Sequence, residues 1–127
     1  MEFKASHNHA RITARKMRPI ADLIKGMPVN RALEVLKFNH RRGAVLLRKV
    51  VKSALANAEQ NAEVDLGKLV VKSAMINDGP LLGGRPRFRP VSRGRVATIR
   101  KRTSHILVEL GVGAESGEKT AKAKEEV

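Results

Sequence analysis

The residues in this sequence that are best suited to chemistry lie in a basic segment that runs from Gly79 to His105. It contains seven arginines and one lysine but neither Asp nor Glu, the cations being Arg85, Arg87, Arg89, Arg93, Arg95, Arg100, Lys101 and Arg102. A guanidinium group binds phosphate through two parallel hydrogen bonds and also stacks on bases. Burial of so many cations would require partner charges that the segment does not supply. The segment therefore predicts a surface that binds nucleic acid.

The spacing within this segment predicts a long β-hairpin arm. Its first three arginines alternate with Pro86, Phe88 and Pro90, which places the guanidinium groups on one side of an extended chain. Because proline has no N–H for a ladder, we expect an irregular tip near residues 85–91. On the return strand the arginines change parity between Arg95 and Arg100. This change indicates either a bulge or twist in the strand or an arm that is contacted on both faces.

Other residue types that commonly do chemistry form no recognisable site. His7 and His9 share one face of an extended segment, but no third metal ligand is evident, so we expect no bound metal. The glycine-rich GPLLGG lacks the Lys-Ser/Thr pair of a phosphate-binding loop. The 12 carboxylates are scattered, whereas metal-dependent hydrolysis and acid–base catalysis need clustered ones. We therefore expect no catalytic residue, no cofactor and no enzymatic activity.

The composition indicates one small domain with an aliphatic core. The 127 residues include no Cys, Trp or Tyr, which excludes disulfide bonds and thiolate metal sites. The formal net charge of +14 favours a polyanionic partner through the release of counterions. No apolar run approaches the ~20 residues that cross a membrane, and the amino terminus has no signal-peptide block. We expect a soluble protein that does not bind membranes.

Hydrophobic periodicity predicts three helices. The first follows the candidate N-cap Thr13 and ends at Gly26, and its apolar face comprises Met17, Ile20, Leu23 and Ile24. Pro19 either begins this helix or kinks it, and we favour a kink. Two further amphipathic helices are predicted over residues 29–38 and 42–61.

Three extended segments complete the pattern, over residues 3–12, 69–77 and 103–110. The order of elements predicts an α+β fold, with three helices packed on a small antiparallel sheet and a long protruding β-hairpin. Residues 1–110 are expected to form a single domain that includes the hairpin at about 79–103. Residues 111–127 are small, polar and mixed in charge, so we expect a disordered tail.

Several blocks of the sequence resemble the ribosomal protein L22 family of the large subunit. The blocks are ARKMRPIADLIKGMPVNRALEVLKF, KSALANAEQN, DGP, RGR and IRKRTSHILVEL, and they cover about residues 5–110 in the family's order. The resemblance implies a non-enzymatic protein of the cytoplasmic ribosome that binds 23S rRNA. It further implies neighbouring large-subunit ribosomal proteins as partners, with no homo-oligomer. The hairpin tip would line the exit tunnel and contact the nascent polypeptide.

The resemblance also assigns roles to residues at matching positions. Contacts of the body with rRNA are expected at Arg11, Arg15, Lys16 and Arg18. Contacts along the arm are expected at Arg93, Arg95, Arg100, Lys101, Arg102, Thr103, Ser104 and His105. The tunnel tip is expected at Arg85, Pro86, Arg87, Phe88, Arg89, Pro90 and Val91. The chain departs from the family at Pro19, where an aliphatic residue is usual, and at residues 81–84, where a basic pair is usual.

An alternative function is that of an architectural DNA-binding protein with basic β-arms. Such proteins insert arms into the minor groove and wedge an apolar residue between base pairs. Phe88, next to Arg89 and Pro90, has the chemistry for such a wedge. The blocks KRTSHI and SALANAEQN have no explanation under this alternative, so rRNA binding is favoured.

Overall fold

The computed structural model describes residues 1–61 and 63–113. The helices of this part are α1 (Ala14–Ile24), α2 (Val29–Phe38) and α3 (Arg42–Glu59). The strands are β1 (Glu2–Ala10), β2 (Leu69–Leu81), β3 (Arg87–Pro90), β4 (Val96–Ile99) and β5 (Arg102–Val112). Strands β1, β5 and β2 form an antiparallel sheet in that order, and β3 pairs with β4.

The core lies between the three helices and one face of the sheet. Strand β5 is central, and its predicted apolar residues Ile106, Val108 and Leu110 are fully buried. They face Leu47 and Val51 of α3, which are buried as well. Burial of aliphatic side chains from both layers supplies the main stabilising term for a domain of this size. The predicted α+β fold, with three helices on an antiparallel sheet, is confirmed.

Helix α1 begins at Ala14 and contains Pro19, so proline does not start it. The predicted apolar face is buried except for Leu23, which is 49% exposed. Residues 17, 20, 21 and 24 follow the helical period, and position 23 falls outside that stripe. After the helix, the N–H of Gly26 donates to the carbonyl of Val71 at 2.8 Å, which covers part of the outer edge of β2.

Helix α3 crosses α1 closely because its first turn contains Gly43. A Cβ atom at this position would lie 2.8 Å from Cδ1 of Ile20 and would also clash with Met17. Further along α3, Ala44, Ala54 and Ala58 are fully buried against the sheet and the other helices. Small residues therefore let this helix approach its neighbours, as the alanine-rich sequence predicts. The helix ends at Glu59, two residues before the predicted end.

The basic segment forms two successive strand pairs. Strands β2 and β5 pair as far as Leu81 opposite Arg102, and β3 and β4 pair from Arg87 opposite Ile99 to Pro90 opposite Val96. Between the pairs lie residues 82–86, with a single turn at Leu82–Gly84, and residues 100–101. The N–H of Leu82 donates to the carbonyl of Lys101 at 2.7 Å across this gap. The change in arginine parity, between Arg95 and Arg100, falls across β4. The pairing order is compatible with the predicted long hairpin.

The chain reverses direction later than the predicted tip at residues 85–91. The turn lies at Ser92–Gly94, closed by a hydrogen bond of 3.0 Å from the N–H of Val91 to the carbonyl of Arg95. Arg93 and Gly94 have φ angles of 60° and 68°, and glycine adopts this region at little cost. Pro90 pairs at the end of β3 instead of forming the turn. The position of the reversal thus corrects the prediction.

The last described residues belong to the sheet. Strand β5 continues to Val112, and the N–H of Gly113 donates to the carbonyl of Lys68 at 3.0 Å. Residues 111–113 are therefore ordered, contrary to a disordered tail that begins at 111. The rest of the predicted tail, residues 114–127, lies outside the described residues.

Candidate nucleic-acid interface

A basic cleft lies where the hairpin arm leaves the body of the protein. It has a volume of 530 Å³, and its lining contains six cations, namely Arg11, Lys16, Arg42, Arg100, Lys101 and Arg102. No carboxylate among the described residues lines it; the remaining residues are Ile12, Thr13, Leu82 and Thr103. The cleft brings together two sets of predicted contacts that are about 90 positions apart in the sequence. It can bind several phosphates of one polyanion at once.

Four separate elements position these cations. Arg11 follows a bulge at the end of β1, and Lys16 lies in the first turn of α1. Arg42 is the first residue of α3. The interruption between β4 and β5 places Arg100 and Lys101 at the same cleft. Because the first turns of α1 and α3 contain no acidic residue, their N–H groups and helix dipoles add to the positive potential.

Three predicted contact residues instead support the base of the arm. Thr103 is 3% exposed, and its hydroxyl donates to the carbonyl of Pro80 at 2.5 Å. Ser104 is fully buried, and its Oγ has no hydrogen-bond partner among the described residues. Nδ1 of His105 accepts a hydrogen bond of 3.1 Å from the N–H of His9, whose ring packs edge-on at 4.9 Å. Ser104 therefore does not present its side chain to a ligand in this structure.

Arg15 and Arg18, also predicted as contacts, lie on exposed positions of α1 outside the cleft. Arg18 forms an ion pair of 3.4 Å with Asp78 of β2. Sequence reasoning missed Arg42, which the cleft includes. The signal for it was present, since Arg41 and Arg42 begin a helix directly after a break in the pattern.

The cations of the outer arm are exposed and make no ion pair with any carboxylate of the described ranges 1–61 and 63–113. These residues are Arg85, Arg87, Arg89, Arg93 and Arg95. Phe88 is 70% exposed among them, so an aromatic ring is available for stacking. An apolar side chain this exposed, surrounded by free guanidinium groups, fits a nucleic-acid surface.

Carboxylates at the far end of the sheet are neutralised by lysines. Nζ of Lys4 lies 2.8 Å from Glu109, and Lys72 binds Glu2. The hydrogen bond from Lys72 lowers the pKa of Glu2, and the hydrogen bond from Lys4 lowers the pKa of Glu109. The hydrogen bond to Glu109 raises the pKa of Lys4. On β5, Glu109 is seven residues from Arg102, or about 23 Å, so this network leaves the potential of the cleft largely unchanged.

Residues 1–61 and 63–113 contain neither a metal cluster nor a membrane-spanning helix. No group of three or more His, Cys, Asp or Glu side chains is arranged there to hold a metal ion. No helix there is long and apolar enough to cross a membrane. His7 and His9 are separated by the bulge of β1, in which His9 has a φ angle of 57°.

Comparison with known proteins decides the family. The family model for ribosomal protein L22p/L17e matches residues 5–111. The chain belongs to this family. It is therefore a structural, non-enzymatic protein of the large subunit of the cytoplasmic ribosome, as the sequence blocks predict.

Three curated relatives, each named large ribosomal subunit protein uL22, are similar over most of their length. The protein of Akkermansia muciniphila is 50% identical over 110 residues, which cover 87% of this chain and 96% of the relative. That of Clostridioides difficile is 49% identical over 108 residues, covering 85% and 95%. That of Ligilactobacillus salivarius is 49% identical over 109 residues, covering 86% and 92%. The range that the family model matches, residues 5–111, includes both the cleft and the arm.

Proposed function

We propose that this family member binds 23S rRNA through the basic cleft and the hairpin arm. The observation that carries the proposal is the cleft itself, in which six cations from β1, α1, α3 and the arm converge without a lining carboxylate among the described residues. Each cation that neutralises a phosphate releases a condensed counterion, which favours binding. The six cations of the cleft, together with Arg93 and Arg95 of the arm, are the proposed contacts. Arg15 and Arg18 remain proposed as outer contacts of the body.

Thr103, Ser104 and His105 have a different role in this proposal. Where the arm begins, Thr103 joins β5 to β2, His105 joins β5 to β1, and Ser104 is buried between them. They position the neighbouring cations instead of binding RNA directly. This revises the sequence-based assignment of the three residues.

The outer arm is proposed to line the nascent-peptide exit tunnel and to contact the nascent polypeptide. Residues 85–91 were the predicted tip, and the reversal at Ser92–Gly94 extends the proposed tunnel-facing part to Arg95. Exposure of Phe88 and of the arginines in this part supports an external partner. Residues 1–113 are proposed as one domain that acts as a monomer beside neighbouring ribosomal proteins.

Sedimentation of a cell lysate at moderate salt tests the proposal. Tagged protein is expected to migrate with the large ribosomal subunit and to cross-link to 23S rRNA through residues of the cleft. Recovery with chromosomal DNA, or as a free dimer, would instead favour an architectural DNA-binding protein. Deletion of residues 85–95 should leave incorporation into the subunit intact, because the cleft remains.

A further inference from the structure

A pocket with apolar walls adjoins the basic cleft on the body of the protein. It has a volume of 350 Å³ and is lined by Ile12, Lys16, Pro19, Ile20, Arg41, Arg42 and Gly43. Ile20 and Gly43 are buried and form its floor, whereas Lys16, Arg41 and Arg42 are exposed at its edge. Three of these residues, Ile12, Lys16 and Arg42, also line the cleft, so the two spaces adjoin. The volume lies within the ~300–1,000 Å³ of typical small-molecule sites.

Two features of the sequence shape this pocket. Gly43 lets α3 pack closely on the side chains that form the apolar wall, since a Cβ there would clash with Met17 and would lie 2.8 Å from Cδ1 of Ile20 and 3.4 Å from Cδ1 of Ile12. Pro19 presents its ring on the exposed side of α1 and has no N–H. The carbonyl of Arg15 therefore receives no hydrogen bond from position 19. The helix offers an acceptor beside an apolar wall, an arrangement that an aliphatic residue at position 19 would remove.

We propose that this pocket binds one unstacked RNA base, whose flanking phosphates lie in the basic cleft. The cations at the edge match the charge of the backbone, and the apolar floor matches the face of a base. Proteins recognise RNA mainly through unpaired bases that turn out of the helix and meet such surfaces. The proposal rests on the RNA binding proposed above and goes further, because it gives the body a contact with a base as well as with phosphates.

The test uses the full-length protein and two RNA duplexes, each with one single-nucleotide bulge. In one duplex the bulged nucleotide carries adenine, and in the other it is abasic, so both have the same number of phosphates. Wild-type protein is expected to bind the adenine bulge about tenfold more tightly, near the lower end of what one stacked base contributes. The ratio of the two dissociation constants removes the electrostatic contribution.

Two substitutions at Pro19 and one control relate this ratio to the pocket. Pro19→Trp fills the opening without changing charge and should bring the ratio close to one, with unchanged affinity for the abasic duplex. Pro19→Ala removes the ring and restores the helical hydrogen bond, so it should lower the ratio part of the way. Leu23→Trp adds the same side chain at an exposed position of α1 outside the pocket and should keep the wild-type ratio.

Each outcome distinguishes the base pocket from the proposed function. Equal wild-type affinity for both duplexes, with a steep dependence on salt, overturns the pocket and leaves RNA binding by the cleft intact. Lack of binding to either duplex overturns both proposals. A tenfold ratio that survives Pro19→Trp places the base elsewhere and overturns the pocket. If the ratio is one for wild-type protein and Pro19→Trp protein fails to enter the subunit, the pocket binds a protein partner instead, which also overturns the base pocket.

Discussion

Replacement of Arg42 by glutamine measures how strongly the cleft is used. This arginine reaches the cleft from the first turn of α3, and the sequence analysis did not predict it as a contact. Glutamine keeps much of the side-chain length but removes the charge. Arg31→Gln provides the control, because Arg31 is exposed on α2 and lies outside the cleft. Its replacement changes the net charge by the same amount.

The expected salt dependence of RNA binding follows from the number of cations in the cleft. Each phosphate contact contributes about 0.7–0.9 to the slope of log K against log salt. The six cleft cations together contribute about 4–5 to the slope, and loss of Arg42 should lower the slope by slightly less than one. Between 50 and 200 mM salt, one contact corresponds to about a threefold change in affinity. The combined change Arg42→Gln and Lys16→Gln should lower the slope by about 1.6.

Filter binding or fluorescence anisotropy with a 23S rRNA fragment, at five or more salt concentrations, provides the measurement. Arg42→Gln should weaken binding at every concentration and flatten the slope, whereas Arg31→Gln should leave the slope near its wild-type value. Circular dichroism confirms that each variant is folded. If both substitutions reduce the slope equally, diffuse net charge drives binding, and the reasoning from the cleft is refuted.

Three other substitutions test the roles given to structural residues. Ser104→Ala should leave RNA affinity unchanged and raise the free energy of unfolding by about 1 kcal/mol, because it removes a buried hydroxyl that lacks a partner; a loss of affinity in filter binding would restore Ser104 as a contact. Gly43→Ala should lower the free energy of unfolding in urea by about 1–3 kcal/mol, because its Cβ would meet Ile20 and Met17; an unchanged midpoint would contradict the close crossing of α1 and α3. Glu109→Gln should reduce the loss of stability in acid: the lowered pKa of Glu109 means that its contribution is present above about pH 4.5 and is lost as pH falls through the folded value. Thermal unfolding from pH 6 to pH 3 measures this, and identical pH profiles for both proteins would contradict the Lys4–Glu109 pair.

Elements with strong periodicity were predictable from the sequence. The bounds of α2 agree with the prediction at both ends, and the alternation of Ile106, Val108 and Leu110 correctly predicted the buried face of β5. These features depend on local spacing, which the sequence displays directly. The same alternation extends to Ser104, which a strand period of two places on the buried face. The family resemblance suggested a contact there, but the position within the strand places the side chain in the core.

Features that depend on tertiary contacts were harder to predict from the sequence. The reversal at Ser92–Gly94 requires two residues in the left-handed region, and the density of prolines at residues 86–90 drew the predicted tip towards the amino-terminal side. The cleft depends on residues from opposite ends of the chain. Arg11 and Arg100 are 89 positions apart, and pairing of β1 with β5 brings their neighbourhoods together. No local pattern contains that information.

The position of the cleft has a consequence for the direction of the arm. A two-stranded hairpin has little stability by itself, so its direction depends on how its base is held. Thr103 joins the base of the arm to β2, and His105 joins it to β1. Beyond these contacts the regular strand pairing is interrupted at Leu82–Gly84 and residues 100–101, where one backbone hydrogen bond joins Leu82 to Lys101. The cleft lies at this interruption, and its cations belong to both the body and the arm. RNA bound there would join the two sides, so binding by the body and orientation of the outer arm are expected to be coupled.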